Sequence, residues 1–123
     1  MRFDEIKIYH VAMPLIEPWI TSYGSDYEIH SILINVKSDN YSAWSETCAL
    51  ELPTYSYESA NSIFFNISEI FGPSLIKKNF ETPYEVINEL SLFKGNPFAK
   101  AGLDIAWWNL KSEITVSYTH LRA

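Results

Sequence analysis

From Phe3 to Leu15 the chain alternates, with Ile6, Ile8, His10 and Ala12 on one side and Lys7, Tyr9, Val11 and Met13 on the other. Both sets are mostly apolar, which predicts a strand covered on both faces. Glu28–Lys37 repeats the pattern, and its β-branched content favours strand over helix. Ser38-Asp39-Asn40 is a turn, with Asn tolerating a positive φ, and Tyr41–Cys48 resumes the strand as an antiparallel hairpin. Near Ser56 the period changes. Ile63, Phe64, Ile67 and Ile70 lie three and four residues apart, predicting a helix over about Tyr57–Phe71. Ser56 is its expected cap, and Gly72-Pro73 its expected end, the glycine taking a left-handed conformation. Thr82-Pro83-Tyr84-Glu85 combines a capping box with proline in the first turn and opens a helix to about Phe93. Gly95-Asn96-Pro97 opens a third, to about Lys111, with Phe98, Ala101, Ile105 and Trp108 as its apolar stripe. Strands followed by helices give an α+β class: a three-stranded antiparallel sheet and then a helical bundle.

Composition narrows the function. The 123 residues suit one domain, and 47% hydrophobic with 15% aromatic residues exclude a disordered chain. Fifteen acidic against nine basic residues give a net charge of −6, and the Lys and Arg do not cluster, so no nucleic-acid partner is expected. No apolar run approaches the roughly 18–20 residues of a membrane helix, and Met1-Arg2-Phe3-Asp4-Glu5 lacks a signal peptide's apolar core. A single cysteine, Cys48, precludes an internal disulfide and fits a cytoplasmic location.

Chemistry is sparse along the chain. His10, His30 and His120 are far apart and show no metal-ligand spacing. Cys48 has no nucleophile signature beside it and reads as a small buried strand residue. Glu46 reads as a buried strand carboxylate with a backbone or cationic partner, and Glu51, Glu58, Asp104 and Glu113 as solvated faces. The four glycines form no phosphate loop. Pro14–Tyr27 fits neither half: two prolines, a glycine and the aromatics Trp19, Tyr23 and Tyr27 predict a long loop of functional type. From the residues alone the chain is an α+β domain with an aromatic loop, no catalytic residue and no metal site.

Three segments add to this reading. IKIYHVAMPLIEPWITSYGS, AWSETCALELPTYSYES and KGNPFAKAGLDIAWWNLKSE, in that order, resemble the N-terminal capping domain of the enolase superfamily. Within it they are most similar to the branch of o-succinylbenzoate synthase and N-acylamino acid racemase. The resemblance spans residues 3 to 112 and implies a capping domain over 1–113. In that family a C-terminal barrel carries two catalytic lysines and three carboxylates that hold Mg²⁺, which stabilises the enediolate left by proton removal α to a carboxylate. Two capping-domain loops close over the barrel mouth, matching Pro14–Tyr27 and Ala49–Ser56 here. By position, the resemblance implies that Trp19, Asp26, Leu50 and Tyr55 face a small carboxylate substrate, with Trp19 and Leu50 as apolar walls.

Some residues depart from the family pattern. Ala43 and Ser45 flank Trp44 where glycines are usual, Gly102-Leu103-Asp104 replaces Ala-Leu-Glu, and Asn109 replaces an aspartate. None of the barrel's lysines or carboxylates is present, and residues 114–123 do not resemble the family's linker. The expectation is therefore a capping piece of a Mg²⁺-dependent lyase or racemase, cut before its barrel. It would itself be inactive and bind no metal, with 114–123 as a foreign or unordered tail. The alternative is a stand-alone binding module derived from that domain. Without a barrel, Trp19, Tyr23, Leu50, Tyr55 and Trp107 are expected to form an exposed patch that drives self-association.

Overall fold

The computed structural model describes residues 1–22 and 24–122, the side chains of 117–122 excepted. Strands β1 (Glu5–Thr21), β2 (Gly24–Ser38) and β3 (Tyr41–Thr47) form one antiparallel sheet in that order. The expected sheet is therefore found, but its first hairpin is much longer than the alternation predicts. Pro14–Tyr27 is not a loop: the two strands pair from Glu5↔Lys37 to Thr21↔Gly24. The pairing breaks only between Pro14 and Trp19, which face Glu28 and Asp26, so β1 carries extra residues there. Pro14 and Pro18 bound that bulge because proline has no N–H to give the ladder. Prolines and aromatics that read as loop thus sit on a bulged hairpin arm.

The second turn is as short as expected, but Asp39 rather than Asn40 takes the positive φ, at 52°. Asp4 Oδ2 accepts from Asp39 N–H at 2.8 Å, and Arg2 Nε donates to Asp4 Oδ1 at 2.8 Å. These bonds favour the charged form and lower the Asp4 carboxyl below its ordinary range.

On β3 the inward positions are Ala43, Ser45 and Thr47, so Glu46 is exposed and not the buried carboxylate expected. The core joins Ile32, Ile34 and Val36 of β2 to helix residues. Helix α1 (Ala60–Asn66) starts later than expected because Ser59, not Ser56, is its cap. Ser59 Oγ accepts from Ser62 N, and Ser62 Oγ accepts from Ser59 N at 2.9 Å. Gly72-Pro73 does not end the helical run. A π-helical segment (Ile67–Phe71) leads into a short helix α2 (Gly72–Leu75), with Gly72 at φ −58°. Gly72 N–H bonds Ile67 O, and the left-handed residue is Lys77 instead. In an α-turn the Pro73 ring would strike the carbonyl four residues back; the wider turn avoids it.

Helix α3 (Pro83–Leu90) has the predicted capping box, Glu85 Oε2 accepting from Thr82 N. It stops three residues before the expected Phe93. Helix α4 (Pro97–Arg122) passes the expected end at Lys111. Beyond Val116 the side-chain surroundings of the expected tail lie outside the described residues. The stripe that α4 buries is Ala99, Gly102, Leu103, Ala106, Trp107 and Leu110. Ala101, Ile105 and Trp108 face outward, so the predicted stripe was the wrong face. Trp107, expected in an exposed patch, is 3% exposed and donates its indole N–H to Phe80 O at 3.1 Å.

Candidate functional site

The hairpin arm, the segment between β3 and α1, and the first turn of α4 enclose a cavity of about 510 Å³. Trp19 and Thr21 come from β1, Cys48, Ala49, Leu50 and Tyr55 from the connecting segment, and Phe98 from α4. Three of the four sequence-predicted site residues, Trp19, Leu50 and Tyr55, are therefore brought together. The fourth, Asp26, does not line the cavity. It is half-buried on β2, directly across the hairpin from Trp19, and directly opposed residues project to the same face of a sheet. Trp19 is 53% and Tyr55 68% exposed, so the aromatic walls stand open on one side. Tyr23 lies outside the described residues.

The connecting segment has no regular structure of its own and is held from below. Ala60 N donates to Leu50 O at 3.1 Å and Thr54 N to Leu52 O at 2.8 Å. Its firmest anchor is Glu58, expected on a solvated face but only 5% exposed. The Glu58 carboxylate accepts from Phe98 N at 2.8 Å and Ala99 N at 3.0 Å. It satisfies amides that the start of α4 cannot pair internally and places negative charge at the helix's positive end. One side chain thus ties the base of the Tyr55 segment to the backbone of Phe98. From β3, Thr47 Oγ1 donates to Phe98 O and Ser45 Oγ to Gly102 O, both at 2.8 Å.

Sequence reading missed Glu58 and Phe98 as parts of the site. A carboxylate that caps a helix 40 residues away leaves no local signal, and Phe98 had been assigned to the α4 stripe. Cys48, expected as a buried strand residue, is exposed just beyond the end of β3; partial desolvation of its thiol, and after it the charge of Glu46, still push the thiol up. Burial also raises the Asp104 carboxyl, whose Oδ1 has no partner. Among the described residues no group of three or more His, Cys, Asp or Glu is arranged to hold a metal ion, and no helix is long and apolar enough to cross a membrane.

No protein-family model matches the chain. It is 28% identical over 111 residues to o-succinylbenzoate synthase of Bacillus subtilis and 30% identical over 111 residues to that of Geobacillus kaustophilus. It is 26% identical over 110 residues to N-succinylamino acid racemase of Thermus thermophilus. Each match covers 89% of this chain and 30% of the relative. An enolase-superfamily member from Listeria innocua superposes with a TM-score of 0.87 at 28% identity, over 94% of this chain and 31% of that one. Muconate lactonizing enzyme from Pseudomonas putida superposes with a TM-score of 0.78 at 26% identity, over 90% and 29%. The chain is an N-terminal capping region of the enolase superfamily. This capping region spans about 30% of the length of the curated relatives it matches. Its cavity draws on the two segments that the sequence resemblance marks as substrate-facing, together with Cys48 and Phe98.

Proposed function

We propose that this capping region forms the lid and outer wall of the substrate pocket in an o-succinylbenzoate synthase or an N-acylamino acid racemase. The reaction would begin with proton abstraction α to the carboxylate of a small substrate. One observation carries the proposal: Trp19 of the hairpin arm meets Leu50 and Tyr55, some thirty residues on in the sequence, around a single open cavity. Its walls suit the apolar part of a succinyl-bearing substrate. Trp19, Leu50 and Phe98 supply hydrocarbon surface, and Tyr55 adds a ring with a hydroxyl. A lid of this kind excludes water, which strengthens the electrostatic interactions beneath it.

Enolase-superfamily relatives typically use Mg²⁺. The described residues offer no ligand cluster that fits that ion, and this reading assigns them no part in holding it.

Titrating o-succinylbenzoate into this chain alone, and into the chain joined to the barrel of the Bacillus subtilis synthase, tests the proposal. Binding by the joined protein with none by the chain alone is the expected result. Equal binding by both would favour the stand-alone module and overturn the capping role.

A further inference from the structure

His10 and His30, remote in sequence, meet on the sheet beside the cavity. His10 Nε2 and His30 Nδ1 are 2.9 Å apart, with ring centroids at 5.2 Å. The other nitrogen of His30, Nε2, is buried and makes no hydrogen bond. Two carboxylates flank it: Glu28 Oε2 of β2 at 3.3 Å and Glu51 Oε2 at 3.5 Å. Glu51 follows Leu50 in the segment that walls the cavity. The remaining neighbours are Cys48, whose thiol donates to His30 O at 3.2 Å, Glu46 of β3 beside that thiol, and the uncharged Phe64 of α1 against His10.

We propose that the His10–His30 pair takes up a single proton that ties the Glu51 segment to the β1–β2 hairpin, so that one wall of the cavity is positioned by protonation. The hydrogen inventory of the two rings leads there. Of the two facing nitrogens, one must donate and the other accept. If both rings are neutral and His30 Nδ1 donates, His30 Nε2 presents a bare lone pair to two carboxylates. If His10 donates instead, His30 Nε2 carries the hydrogen, but the ring has no charge to offer. One added proton makes both His30 nitrogens donors: Nδ1 to His10 and Nε2 to Glu28 and Glu51. The ring then becomes a cation between two anions on different segments. A second proton would set two donors against each other at the 2.9 Å contact and break it. His30 acts here as a positioning residue. Its consequence for substrate rests on the capping role proposed above, whereas the tie itself is a property of this chain.

The test uses this chain with His120→Gln, so that only the pair reports, and follows ¹H–¹⁵N imidazole spectra from about pH 8 to 5, the span in which histidine charges. Amide exchange of residues 49–55, corrected for the intrinsic rate, is measured in parallel. The expected result is one proton per pair and protection of that segment roughly two- to fivefold higher at the acid end, the size of a partly exposed ion pair. In Glu51→Gln, a substitution at an exposed position, the pair still takes up its proton but the segment's protection stops responding. Two protons entering with the contact intact, protection indifferent to pH in the parent chain, or an unchanged response in Glu51→Gln would each overturn the proposal. Because no substrate enters the test, its failure leaves the capping role standing, and loss of capping activity in the joined enzyme leaves the tie standing.

Discussion

Glu58 shows what a single side chain does in this fold. Its carboxylate serves two amides of α4 from inside the core, so Glu58→Ala leaves both donors buried without a partner. The expected cost is about 1–3 kcal/mol of folding free energy, read as a lower denaturant midpoint. An unchanged midpoint would remove Glu58 as the anchor of the Tyr55 segment. Cys48 gives a pH-dependent prediction. Burial, and then Glu46, push its thiol up, and only the thiolate reacts with alkylating agents. Iodoacetamide should therefore label Cys48 more slowly at pH 8 than it labels a free cysteine, with the rate still rising above the ordinary thiol range. Glu46→Gln should speed labelling modestly, since it removes the lesser of the two causes. Labelling at the rate of the free amino acid would contradict this. Residues of this kind show how far the sequence was legible. That Trp19, Leu50 and Tyr55 share one cavity was foreshadowed by the resemblance, which singled out all three. Glu58 and the His10–His30 contact were not, because each depends on a long-range pairing that leaves no periodicity.

Among the elements, alternation and 3.6-residue spacing identified every strand and the main helices, and failed where two faces competed. Helix α4 has two apolar stripes, and composition cannot choose between them. The choice is made by close approach, since Gly102 lies so near the sheet that an added Cβ would come within 2.9 Å of Ile34 Cδ1 on β2 and 3.0 Å of Thr47 Cγ2 on β3. The glycine that departs from the family's alanine thus meets a strand that carries Ser45 and Thr47. Gly102→Ala should gain about 1 kcal/mol of helix propensity and lose about 1–3 kcal/mol to overpacking, for a net loss of stability. A stabilised variant would show that α4 can back away from the sheet. Gly72 is stricter, because its added Cβ would fall 2.6 Å from the backbone oxygen of Ile67, which cannot rotate aside. Gly72→Ala should cost more than Gly102→Ala in the same denaturation experiment; the reverse order would contradict the π-helical turn as the reason for glycine there. The hairpin arm was misread for a related reason. Proline and glycine are usually loop residues, but here they shape a bulge in a continuous pair of strands.

The whole molecule leaves large aromatic residues in contact with solvent, among them Trp19, Trp44, Tyr55 and Trp108. Apolar patches beyond a few hundred Å² on a soluble chain favour association. The chain alone should therefore self-associate as its concentration rises, seen as an earlier elution on size exclusion. Trp108→Lys should reverse part of that shift, and a concentration-independent monomer would contradict it. Trp107 drops out of the expected patch, since that indole is buried, and the outward tryptophan is its neighbour Trp108. The capping role itself is tested by catalysis. The chain is joined to the Bacillus subtilis synthase barrel, and kcat/KM for formation of o-succinylbenzoate is measured with Trp19→Ala, Tyr55→Ala and the distant control Trp108→Ala. The account predicts that Trp19→Ala and Tyr55→Ala each lower kcat/KM by at least about tenfold, the loss expected when an apolar wall of a substrate pocket is removed, while Trp108→Ala leaves it within about twofold. Equal values for all three variants and the parent would contradict it.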